Sequence, residues 1–245
     1  MSDAAWSWLE VAGALLPVVA YLAVMQRARR TGGGWPAWRA GAFTAAVGLW
    51  AVVTCTAFDD QARRSLTWHM CQQMTLLLFV PPLLLAGRPL ALMRRLTGAR
   101  RATWVPGAIV AWVTFVGIQW VIHVPAVLDW AVGPRLAEGL MHLLLLAAGL
   151  LFFAAVMTPG HRIEHPFAAT LYLAAAMPTT DAIALWLILD PRVIYSGFAG
   201  PHALADQQAA GVIMFAAGNV LLAAAAVVAG RYLWDGRPTA QAVPR

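Results

Sequence analysis

The sequence predicts an all-α, polytopic integral membrane protein: one domain over 1–245, seven transmembrane helices, the N-terminus outside and the C-terminus in the cytoplasm. Three observations carry this expectation. Of the 245 residues, 61% are hydrophobic and only 11% charged, with a mean hydropathy of +0.68, outside the range of water-soluble domains. The apolar residues fall into seven runs, near 8–26, 38–58, 66–87, 103–123, 136–157, 167–189 and 206–233, each about the 20 residues a helix needs to cross ~30 Å of hydrocarbon. Basic residues are all Arg and are divided unequally between the two sides that this threading defines: 13 follow the first, third and fifth runs or lie in the C-terminal stretch, against four (Arg63, Arg64, Arg135 and Arg192) on the other side. The Arg-rich side is cytoplasmic by the positive-inside rule. The pI of about 10.3 therefore reflects loops at anionic lipid rather than a nucleic-acid surface.

Each run has its own signals. The first lacks a basic n-region and is flanked by Asp3 and Glu10, so no cleavable leader is expected. The second ends near Cys55. The third opens with "LTWHMCQQM" and contains "VPPLL"; two prolines that lack backbone donors are expected to bend it. The fourth ends at "WVIHVPAVLDW", the fifth begins "RLAEGLMHLLLL", the sixth holds Asp181 in "MPTTDAIALW", and the seventh opens with "LADQQAAGVIM". Trp6, Trp68, Trp120 and Trp130 are expected at the outer interface, and Trp35, Trp38, Trp104 and Trp234 at the inner one.

This threading gathers polar side chains at one depth. His69, Met70, Cys71, Gln72, Gln73 and Met74 occupy the outer turns of the third run, and His123 ends the fourth at the same level. Glu138 and His142, four apart, share a face of the fifth. Asp206, Gln207 and Gln208 open the seventh, with Met214 about two turns along, and Cys55 closes the second. Polar groups in lipid are tolerated in a bundle interior or wet cavity, and their convergence argues for a site. Imidazole, thioether and thiolate suit Cu(I), whereas His with carboxylate also suits Zn(II) or Cu(II); paired His, or His with Met, would equally serve a haem b. Each residue also has an ordinary reading. Met70, Met74, Met141 and Met214 can be packing, Cys55 and Cys71 either core residues or a pair across one short loop, and Asp206 a helix cap. Asp181 is an isolated intramembrane carboxylate, while His161 and His165 read as loop residues on the cytoplasmic side.

The stretch "HMCQQMTLLLFVPPLLLAGRPL", then "HVPAVLDWAV", "EGLMHLLLLAAGLLFF" and "ADQQAAGVIMFAAGNVLL", covering most of residues 66–222, resembles the CtaG-type cytochrome c oxidase assembly factors of bacterial plasma membranes. That resemblance implies a multi-pass inner-membrane protein, not an enzyme, that matures a haem-copper oxidase of the respiratory chain by helping copper, as Cu(I), reach its centre. Its partners would be oxidase subunits or a copper donor protein. His69, Gln72, His123, His142, Asp206, Gln207 and Gln208 match the family pattern. Gln73 stands where a second His is usual, which turns attention to Met70, Met74 and Cys71. The competing readings are a haem-b redox protein, a transporter with Asp181 and Asp206 on an ion path, and a metal-free scaffold.

Overall fold

The computed structural model of the chain describes residues 3–30, 34–97, 107–158, 163 and 165–235. All regular structure among them is helical: α1 (Asp3–Arg30), α2 (Ala37–Thr54), α3 (Ala57–Ala62), α4 (Leu66–Met74), a π-helical turn (Thr75–Phe79), α5 (Val80–Gly87), α6 (Pro89–Thr97), α7 (Ala108–Ile122), α8 (Pro125–Ala131), α9 (Arg135–Met157), α10 (Pro166–Ala174), α11 (Met177–Leu189), a 3-10 turn (Ser196–Phe198) and α12 (Ala203–Asp235). Four helical stretches are long and apolar enough to cross a membrane: Leu66–Arg94, Arg135–Met157, Phe167–Leu189 and Ala203–Val227. The pair α7 and α8, bent by 81°, makes a fifth if it is one span. In α1, whose side chains are described from Leu16 onward, Leu16–Ala28 is apolar. Among the described residues the fold is thus helical with four to five candidate spans.

The third run shows how the sequence handles its prolines. Pro81 and Pro82 lack the N–H groups that a regular helix would send to the carbonyls of Leu77 and Leu78. The chain answers with a π turn, in which the Val80 N–H reaches back five residues to the Thr75 carbonyl. The sharp bend falls elsewhere, between α7 and α8, where His123 and Val124 precede Pro125. The sixth run is interrupted as well. Ala175 ends α10, and Pro178 lies in the first turn of α11.

Two clusters hold the bundle. The larger is built on α4, the π turn, α7, α9, α11 and α12 and buries Leu66, Met70, Met74, Phe115, Leu145, Phe152 and Met214. Phe152 stacks on Phe115 at 4.1 Å and on Tyr172 at 4.8 Å. Helix α9 comes so near the π turn that a Cβ on Gly149 would lie 2.4 Å from the Leu77 carbonyl oxygen and 2.5 Å from Pro81 Cγ. The smaller cluster joins α1, α2 and α6 through Tyr21, Met25, Trp35, Phe43 and Leu92. There Trp35 donates to the Tyr21 hydroxyl at 2.9 Å, and that hydroxyl donates to the Gly87 carbonyl at 2.7 Å. Trp35 is therefore a core residue rather than part of an interfacial belt. Trp38, Trp68, Trp120 and Trp130 are exposed, while Trp104 and His161 lie outside the described residues and the side chains of Trp6 and Trp234 do too. Gly87 is pressed against Phe43, and the left-handed turn that ends α5 falls on the next residue, Arg88, with φ 50.

Candidate functional site

One end of the bundle collects the polar residues that the sequence singles out. His69 sits in α4 two turns before the π segment, His123 caps the C-terminus of α7, and His142 lies in the second turn of α9. All three are buried, at 0%, 2% and 8% exposure. His69 lies within electrostatic reach of both His142 and His123, but among the described residues the three imidazoles do not form a group whose ligand atoms all lie within 4.8 Å of one another. His69 Nε2 faces the Gln73 amide at 2.9 Å, and that amide nitrogen also approaches Met141 Sδ at 3.5 Å. The His123 Nδ1 is held by the Gln119 carbonyl at 2.7 Å, which turns its Nε2 away from its own helix. His123 Nε2 and His142 Nε2 are both buried without a hydrogen-bond partner.

The segment before α12 roofs this end of the bundle. Phe198 lies 5.5 Å from the His69 ring, centroid to centroid, and the Tyr195 hydroxyl donates to the His123 carbonyl at 3.1 Å. Asp129 of α8 anchors the segment by accepting from the Ser196 backbone and hydroxyl and from the Gly197 N–H. Nearer α11, hydrogen bonds from Arg192 hold the Asp190 carboxyl below its ordinary range.

Next to the imidazoles stands a charged group. The ligand atoms of Asp59, Glu138 and His142 lie within 4.8 Å of one another, and all three residues are buried. Arg63 pairs with Glu138 and approaches Asp59 Oδ2 at 3.5 Å, with Arg135 at 3.9 Å from the same oxygen. Gln72 donates to Asp59 Oδ1 at 2.8 Å and to the Val53 carbonyl at 2.6 Å. Asp59 is the member that sequence reasoning passed over, whereas it reads Met141 as packing. Asp59 sits in a short helix between two apolar runs, yet its four-residue spacing to Arg63 was a readable sign of an intrahelical ion pair.

The remaining candidates do other work. Asp206 does not face the imidazoles. Its carboxylate accepts from the Ser65 hydroxyl at 2.8 Å, the Leu66 N–H at 2.6 Å and the Thr67 N–H at 3.2 Å, so it caps α4 from α12. Gln207 accepts from the Ile194 N–H and donates to the Leu187 and Arg192 carbonyls, tying the roof segment to two helices. Gln208 donates to the Ile188 carbonyl. Cys55 and Cys71 are not joined by a disulfide. Met70, Met74 and Met214 are packed in the central cluster. Asp181 faces α12, where its Oδ1 would lie 2.9 Å from a Cβ on Gly218.

Comparison with known proteins gives one positive result. A family model described as cytochrome c oxidase caa3 assembly factor matches residues 19–234, nearly the whole chain. No curated protein and no solved structure matches.

Proposed function

We propose that this chain, which belongs to the cytochrome c oxidase caa3 assembly factor family, serves assembly by holding a Cu(I) ion between His69, His123 and His142 and passing it to the oxidase or receiving it from a donor. Copper is here cargo, not a resident cofactor. The observation that carries the reading is the pair of buried, unpartnered imidazole nitrogens, His123 Nε2 and His142 Nε2, beside a third imidazole. An unsatisfied buried polar group costs about 1–3 kcal/mol, and two such groups on the imidazoles that surround His69 favour an occupant that relieves both. Neutral imidazoles with the Met141 thioether make a soft donor set suited to Cu(I). Gln73 is the neighbour that positions His69 or gives way when the ion enters.

The proposed setting is a seven-span protein, with α1 and α2 as the two further spans, whose polar end faces outward by the Arg distribution. Reporters active only outside the cytoplasm should respond when fused after Asp60 and stay silent after Arg100. For the site itself, protein purified without oxygen should bind about one Cu(I) per chain, and His123→Ala or His142→Ala should weaken this at least about tenfold. Equal copper in wild type and a variant lacking all three histidines would overturn the reading, and a Soret band in the purified protein would replace it with haem.

A further inference from the structure

We infer that Asp59, Glu138 and His142 form a second, hard-donor site for a divalent transition-metal cation, made of two carboxylates and one imidazole. The donors come from two elements, α3 and α9, and their ligand atoms lie within 4.8 Å of one another. A cation with bonds of about 2.0–2.2 Å to nitrogen and oxygen needs only small side-chain rotations to be reached by all three. Two donor atoms stand ready: Glu138 Oε1 and His142 Nε2 are buried without a hydrogen-bond partner, on residues 4% and 8% exposed. Gln72 meanwhile fixes the Asp59 carboxylate by donating to its Oδ1, the kind of outer hydrogen bond that orients metal-binding carboxylates.

The surrounding charges set the character of the site. Arg63 contacts both carboxylates, and the half-exposed Arg135 reaches toward Asp59. A dication arriving here is attracted by two carboxylates and opposed by the guanidinium already on them, so binding is weak and exchangeable. Oxygen-rich donors of this kind select Zn(II), Co(II) or Cu(II) over Cu(I). Because His142 is also a member of the proposed copper set, a cation bound here competes with Cu(I) for one side chain. This last step rests on the copper reading; the site itself does not.

The test uses Co(II) as the probe, titrated into the untagged full-length protein in detergent and followed by its visible d–d absorption. One saturable Co(II) per chain is expected, displaced by Zn(II), with affinity reduced at least about tenfold in the near-isosteric variants Asp59→Asn and Glu138→Gln. His123→Ala should lose Cu(I) and keep Co(II). X-ray absorption on Co(II)-loaded wild type should give an oxygen and nitrogen shell with a single imidazole, a readout that does not depend on how any variant folds. Unchanged Co(II) affinity in both carboxylate variants, or a cobalt shell containing sulfur or several imidazoles, overturns the inference. Should wild type take Co(II) as described but no Cu(I), the copper reading fails and this site stands.

Discussion

Replacing Asp206 by Ala separates a helix cap from a metal ligand. In the structure the carboxylate gathers three donors at the start of α4: the Ser65 hydroxyl and the N–H groups of Leu66 and Thr67. Those two N–H groups have no intrahelical acceptor, because the first turn of a helix always leaves such donors over. Loss of an N-cap acceptor costs about 0.5–2 kcal/mol, and hydrogen bonds to a charged acceptor contribute about 1.5–3 kcal/mol each, discounted here because Asp206 is half-exposed. Asp206→Ala is thus expected to destabilise by about 2–4 kcal/mol. Asp206→Asn, which keeps one acceptor oxygen, should lose only about 1 kcal/mol. Thermal ramps of detergent-solubilised protein, read as the fraction remaining monodisperse, measure both. Copper per surviving molecule should equal wild type in each. An Ala variant as stable as wild type but stripped of copper would refute the capping account and return Asp206 to the ligand set.

Two further perturbations probe the frame of the site. Gly149→Ala places a methyl 2.4 Å from the Leu77 carbonyl, a backbone atom that cannot rotate away; a loss of about 1–3 kcal/mol or more is expected, seen as a lower midpoint in the same ramp, while Gly139→Ala, whose Cβ meets open space, should be neutral. Arg63→Ala strips the buried Glu138 and Asp59 of their counter-charge and should cost about 3–5 kcal/mol, with Glu138→Gln in the same chain recovering part of it; a single variant as stable as wild type would contradict the ion-pair network.

The helices were legible because lipid imposes a simple rule on sequence: each of the seven apolar runs is mainly helical over its described residues, with breaks at 55–56, 123 and 175–176. Whether each is a span was less legible, since hydropathy does not register how rods pack. The prolines of "VPPLL" marked a real departure from α geometry but not its form, a π turn packed against Gly149 of α9. Periodicity placed His69, His123 and His142 at one depth; the fold buries all three and sets His69 within electrostatic reach of the other two. It misjudged Asp206, whose partner donors belong to α4, a contact between residues about 140 apart that no local pattern reveals. Asp59 was overlooked for the opposite reason. Between two apolar runs it looks like a solvated loop acid beside Asp60, and only the packing of α3 against α4 and the reach of Arg63 to α9 turn it inward.

Copper delivery is tested most directly in the oxidase itself. Oxidase purified from cells lacking this chain should contain its polypeptides and haem but little copper, and copper should return with the wild-type chain and not with His123→Ala. Normal copper in an inactive oxidase, or loss of the oxidase polypeptide with no separate copper defect, would contradict the account.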